Sequence, residues 1–253
     1  ILLDVDKVML GHYIDIKQIA YYNVAIFIAT VIAVPQRSMH QILLPLSAKY
    51  LNEKDFDALE DLYKKSSLNL FIVGGFIFLL IVLNINQLYY IIPEDFSGGL
   101  LVVFMISIAK LYDNALGSNN AILFNSDYYR VVLVLGVFLV ILMILLNMVF
   151  IPVLGINGAG IATFLAIFTY NSIKLFFVYK KFRMFPFTSA TLRIALLLLS
   201  SVLVFYFWEF PFHPIINIGL KSLLVTVIYV FVVYRFNFSE DITLLIKKYL
   251  KLK

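Results

Sequence analysis

Apolar residues in this chain come in long runs separated by charged or turn-forming clusters. Runs of about 20 residues at helical period predict membrane-spanning helices, because about 30 Å of hydrocarbon takes that many residues at 1.5 Å each. The short alternating stretches of a membrane β-barrel are absent. The pattern predicts a partial span over residues 1–13 and a second span from Gln18 into the forties, interrupted by Pro35. A third span is predicted over 66–83, ended by Asn84-Ile-Asn86, a fourth over 99–119 and a fifth over 129–147. Pro152 and the segment 155–160 then predict a tight turn into a sixth span over 158–179. A seventh follows over 192–208 and an eighth over 215–234. Residues 239–253 read as an amphipathic tail, with Ile242, Leu245, Ile246 and Tyr249 on one face. The expected fold class is all-α, a polytopic transmembrane helix bundle.

Composition strengthens this reading. Of 253 residues, 62% are hydrophobic and 14% charged, whereas soluble domains lie nearer half and a quarter. The absence of cysteine excludes disulfides and thiolate metal sites. His12, His40 and His213 are scattered, without metal-ligand spacing. No cofactor is expected. The basic residues sit beside spans instead of forming a patch, so no nucleic-acid partner is expected.

Charge placement predicts orientation. Lys49, Lys54, Lys64, Lys65, Arg130, Lys180, Lys181, Arg183, Arg193, Arg235 and the tail lysines fall in one set of alternate loops. The opposite set, around Asp15, Glu94-Asp95, Pro152 and Glu209, holds only Lys17. By the positive-inside rule the carboxyl-terminal tail is cytoplasmic and the Glu94 loop is outside. The chain starts Ile1-Leu2-Leu3-Asp4, without a basic leader or cleavage pattern. It reads as the downstream part of a longer protein.

Ionisable groups at bilayer depth are costly and usually face a cavity or a partner. Asp6 lies roughly 13 Å from the Asp15 turn at about 1.5 Å per residue, near the midplane, with Asp4 and Lys7 flanking it. On the second span Asn23, Thr30, Arg37 and Gln41 share a face at helical spacing. On the fourth, Ser107, Lys110, Asn114 and Gly117 share another, with Asp113 one turn from Lys110. One reading is a water-filled cavity whose cations, Arg37, Lys110 and Lys7, hold an anionic group. Arg offers phosphate a bidentate fork and Lys a movable charge. Asp4 and Asp6 are then candidates for a coupling proton or cation. The other reading is structural: Lys110 pairs with Asp113, and Asp6 with a basic residue on a neighbouring helix. Lys174 and Lys221 are expected to snorkel from helix ends. Asn147, Thr163 and Asn171 are expected to hydrogen-bond between helices. Gly158, Ala159 and Ala162 predict a close helix–helix approach. No strand precedes that glycine cluster and no GK[ST] follows it, which excludes a phosphate-binding loop.

Several stretches carry a resemblance that spans the chain in order. They are Asp6-Lys-Val-Met-Leu-Gly11 with Ala20-Tyr-Tyr22 and Ala25; Pro45-Leu-Ser47 with the charged 53–65 segment; and Asn147-Met-Val-Phe-Ile-Pro152 with Gly155-Ile-Asn-Gly-Ala-Gly-Ile-Ala-Thr163. Together they resemble the polysaccharide biosynthesis family of Wzx-type lipid-linked oligosaccharide flippases, in the superfamily that also holds the MATE exporters. The chain departs from that family at Pro93-Glu-Asp-Phe96, where relatives often carry Gly-x-x-Tyr/Phe. The resemblance implies two six-helix lobes around a central cavity lined by basic residues, plus two further helices. Residues 1–183 would be the second lobe, from the end of span seven to span twelve, and 184–253 the additional spans and tail. It further implies alternating access for a polyprenyl-diphosphate-linked oligosaccharide in the bacterial inner membrane, with the amino-terminal lobe and membrane lipid as partners.

Other classes leave different signatures. An exporter of cationic drugs in the same superfamily would use acidic cavity residues. A polyprenyl-phosphate glycosyltransferase needs a carboxylate pair in a membrane-adjacent loop, for which Glu94-Asp95 and Asp55-Phe-Asp57 are the only candidates. A scaffold has no need of charges at mid-depth.

Overall fold

The computed structural model describes residues 5–92 and 94–250, with Glu94, Asp95, Ser97 and Leu250 described by backbone alone. The described residues form an all-α helical bundle without strands. Its helices are α1 (Val5–Tyr13), α2 (Ile16–Thr30), α3 (Val34–Glu53), α4 (Phe56–Ile91), α5 (Leu100–Ala115), α6 (Asn119–Asn125), α7 (Tyr129–Phe182), α8 (Ser189–Phe205), α9 (Pro214–Arg235) and α10 (Glu240–Leu250). Two 3₁₀ segments, Val31–Ala33 and Glu94–Gly99, join α2 to α3 and lead into α5. Four helical stretches are long and apolar enough to cross a membrane: Ile16–Glu53, Phe56–Ile91, Tyr129–Phe182 and Pro214–Arg235. The pair α5 and α6 passes the same test together, bent by 58°. The chain is therefore a membrane-spanning helical protein.

Local chemistry sets the boundaries. The Asp15 and Asp55 carboxylates cap α2 and α4, accepting from the Lys17 and Ala58 amides at 3.2 and 3.0 Å. Thr188 and Thr191 form a capping box for α8. Pro35 acts one turn upstream of itself. Its ring cannot donate to the Val31 carbonyl and crowds it, so Val31–Ala33 tighten into a 3₁₀ turn before α3 resumes.

Three predicted boundaries move. The third span does not end at Asn84-Ile-Asn86, because α4 runs from Phe56 to Ile91. Asn84 is tolerated inside it by donating to the Leu80 carbonyl (2.8 Å) and to Ser222 Oγ on α9 (3.1 Å). The fourth span is broken between Ala115 and Asn119. The turn between the fifth and sixth spans is confined to Gly155, whose φ of 57° and ψ of −133° suit glycine alone. There the chain doubles back. A Cβ on Gly158 would lie 2.1 Å from the Phe150 carbonyl oxygen, although eight residues of straight helix span about 12 Å. At the far end the Tyr128 ring meets Phe177 and Phe182. α7 is thus a helical hairpin with limbs 129–154 and 156–182.

The limbs of this hairpin pack α1, α5 and α6, while α8 and α9 lie against α4. Leu198 of α8 occupies the space a side chain on Gly75 would need, and Tyr229 of α9 donates to the Ile72 carbonyl at 2.9 Å. In lipid, burial of apolar surface does not drive helices together. Close approach at small residues and interhelical hydrogen bonds, about 0.6 kcal/mol each on average, take over that role. The first limb of α7 keeps Leu133, Val134, Val137, Ile141, Leu145 and Val149 exposed, as a lipid-facing surface requires.

Candidate functional site

Polar side chains meet at two places inside the bundle. At the first, α1 presents Asp6 to α2 and to the second limb of α7. The Tyr22 hydroxyl donates to Asp6 Oδ2, and Thr163 Oγ1 donates to the same oxygen at 3.5 Å. The Lys7 amide donates to Oδ1 at 2.9 Å. Asp6 is only 3% exposed, and Leu10, Ala25 and Ala159 are buried in the adjoining apolar cluster. Among the described residues, the neighbouring helices offer this carboxyl hydroxyls and not the basic partner that the structural reading expected. Thr163 does bond between helices, as expected. Asn147 does not: both its side-chain polar atoms are buried without a protein partner. It lies eight residues before Gly155 and Thr163 eight after, so in the hairpin the two side chains stand at one level.

At the second place, two helix irregularities face each other. Asn114 Nδ2 at the end of α5 donates to the Ile32 carbonyl of the 3₁₀ turn at 2.7 Å. Gly74 of α4 makes room for it, since a Cβ there would lie 2.4 Å from Asn114 Nδ2. The break after α5 leaves carbonyls and amides without helical partners. Ser67 Oγ donates to the Ala115 carbonyl (2.5 Å), and Ser66 Oγ accepts from the Ser118 amide (3.0 Å). Between them Gly117 turns with φ 53°, so close to α4 that a Cβ would lie 2.4 Å from the Ser67 nitrogen. Gln36 Nε2 reaches from α3 to the Asp113 carbonyl at 3.2 Å.

The second limb of α7 clasps both sides of this break. Asn171 Nδ2 donates to Asp113 Oδ1 on α5 at 3.1 Å, and Lys174 Nζ to Asn120 Oδ1 on α6 at 2.7 Å. The Lys174 ammonium also lies 4.1 Å from the centre of the Tyr170 ring. Tyr112 and Ser172 share a further bond of 3.1 Å. Lys174 does not snorkel as expected; it is 1% exposed, because the bend after α5 swings Asn120 across its path. Lys221, also expected to snorkel, is equally buried, on α9.

The predicted cavity residues divide between surface and interior. Asn23, Arg37 and Gln41 are exposed along α2 and α3, on a stripe shared with Phe27, Val31 and Val34. Thr30 is half-buried and returns its hydroxyl to the Phe27 carbonyl at 2.9 Å. Lys7 and Lys110 are half-buried. Ser107 and Asn114 lie wholly inside the bundle, and the Ser107 hydroxyl has no protein partner. Asp113 turns towards Asn171, and among the described residues no carboxylate lies within ion-pair distance of Lys110. Gln36 and Asp113 bring α3 and α5 together beside Arg37, yet no polar contact joins Arg37 to Lys110. Asp4 lies outside the described residues. Beside Tyr112 a cavity of about 440 Å³ opens between α4, α5, α7 and α8; its lining, with Phe71, Ile108, Phe168 and Leu192, is almost wholly apolar.

Among the residues that sequence reasoning did not place at a site are Tyr22, Gln36, Ser66, Ser67 and Asn120. Asn120 left a signal in Gly117-Ser-Asn-Asn120, a run of turn-forming residues inside an apolar span. Among the described residues no group of histidines and carboxylates is arranged to hold a metal ion. No protein family, curated protein or solved structure matches this chain.

Proposed function

We propose that this chain is one lobe of a membrane transporter that flips a polyprenyl-diphosphate-linked oligosaccharide across the bacterial cytoplasmic membrane by alternating access. In this reading it acts with a second lobe, its carboxyl terminus lies in the cytoplasm, and it catalyses no covalent step. The observation that carries the reading is the pair of facing helix breaks, at Val31–Ala33 and after Ala115, sealed by polar side chains deep in apolar helices. Non-helical backbone at membrane depth is tolerated only where protein or a cavity satisfies it, and secondary transporters build their sites from such discontinuous helices.

The exposed stripe of α2 and α3 supplies the wall on which the substrate head group would rest. Arg37 would grip the diphosphate with its fork, Lys110 would supply a second positive charge from α5, and Asn23 and Gln41 would bond sugar hydroxyls. The polyprenyl tail would stay in lipid. Few cations suit a transporter, because the diphosphate must be released on the far side. Asp6 is the candidate coupling group. Its partners Tyr22 and Thr163 are hydroxyls that serve a carboxylate as donors and a carboxylic acid as acceptors, so either charge state is accommodated.

Replacing Arg37 or Lys110 by Ala in the intact transporter tests the reading. Substrate flipping in reconstituted vesicles should be lost while the amount of protein in the membrane stays near normal. Undiminished flipping in both variants would refute the cationic wall.

A further inference from the structure

We propose that α10 is a docking surface for anionic lipid headgroups, fixing one end of the bundle at the membrane surface. The inference needs only that the chain lies in a bilayer and is independent of what it transports.

The depth of α10 is set by its contacts with α4. Ser239 Oγ donates to Asn69 Oδ1 at 2.5 Å, and Asn69 Nδ2 donates to Asp241 Oδ2 at 2.7 Å. Ile242 and Ile246 close over an apolar crevice of about 160 Å³ that Ile72, Phe76, Tyr229 and Val233 also line. α10 therefore lies level with residues 69–76 of α4. Just before that level, α4 carries the solvent-exposed pairs Glu60–Lys64 and Asp61–Lys65, at 2.6 and 2.8 Å. Just after it, Ile77, Phe78, Leu79 and Leu80 are all apolar. This is where α4 passes from water into hydrocarbon, so α10 rests at the boundary.

Its faces suit that place. At about 100° per residue, Ile242, Leu245, Ile246 and Tyr249 form one apolar face. The bundle covers only the Ile242 and Ile246 half, leaving Leu245 49% and Tyr249 81% exposed beside it. The two acidic residues of the helix, Glu240 and Asp241, lie in its first turn, where Asn69 holds Asp241. Lys247 and Lys248 lie in the last turn, Lys248 beside the uncovered apolar half and Lys247 on the polar side. Among the described residues no carboxylate is within ion-pair distance of either. An exposed apolar strip with unneutralised lysines on the same helix is complementary to an anionic bilayer surface. Near such a surface each lysine enriches anionic headgroups about fivefold.

The test uses the full chain with W208F and Y249W, which leaves a single tryptophan in α10 because Trp208 is the only one present. The protein is reconstituted in phosphatidylcholine containing an equal share of phosphatidylglycerol, with one lipid or the other brominated. Blue-shifted emission, quenched several-fold more by brominated phosphatidylglycerol, is the expected result. K247Q with K248Q should equalise the two lipids while the emission stays blue. Equal quenching with the lysines intact would overturn the anionic preference. Red, unquenched emission would overturn the docking itself. A Leu245→Trp probe repeats the measurement should Y249W fail to accumulate.

Discussion

Asp6 and Lys174 are buried to a similar degree, yet the bundle accommodates their charges by opposite means. Asp6 is held by two hydroxyls and a backbone amide, all of which serve a charged or a neutral carboxyl. Lys174 is held by acceptors only, an amide oxygen and an aromatic face. The first set of partners offers both donors and acceptors, and the second offers acceptors only. A buried carboxyl among hydroxyls fits the coupling role proposed for Asp6. A buried ammonium among fixed acceptors, straddling a helix break, is suited to holding a shape.

The largest expected effect lies at the lysine. Lys174→Met leaves the Asn120 side-chain oxygen without its donor and should destabilise the bundle by about 1.5–3 kcal/mol, the usual range for a hydrogen bond to a charged group. Chemical unfolding in detergent reads this directly. Adding Asn120→Leu should recover part of the loss, because it also removes the acceptor left unpaired. A double variant no more stable than Lys174→Met alone would separate the two residues and weaken the clasp.

The middle effect lies at the aspartate. Tyr22→Phe removes one donor of several and should cost about 1–2 kcal/mol of stability. In the proposed transporter its signature is functional: the pH dependence of transport should shift, because the carboxylate form of Asp6 loses one of its donors. A loss of stability with the pH profile unmoved would make Asp6 a structural group like Lys174.

The smallest effect lies outside the bundle and supplies the reference. The Asp61 hydrogen bond holds the Lys65 ammonium above the ordinary lysine range. A raised pKa contributes stability that is fully present below the unfolded value of about 10.4 and lost only above it. The pair is solvent-exposed, so Asp61→Asn should leave the melting temperature at neutral pH unchanged within error. A clear drop there would mean that this segment of α4 is covered by something else in the intact protein.

The sequence by itself determined the helices and the lipid-facing runs, because the period and length of an apolar segment are local properties set by bilayer thickness. It also marked the interruption near Pro35, the reversal near Gly155 and the amphipathic face of α10, each through residues whose backbone or face preference is intrinsic. It exposed Asp6 as a group out of place in lipid. Only the tertiary structure decided how that group is satisfied, because hydroxyls from α2 and α7 reach it across 16 and 157 residues of chain. The same holds for Lys174, whose place near a helix end suggested an outward reach until the bend after Ala115 brought Asn120 to meet it. Pattern along a chain records which residues suit water or lipid. Which polar groups find each other is settled by where the breaks fall and how the helices then cross.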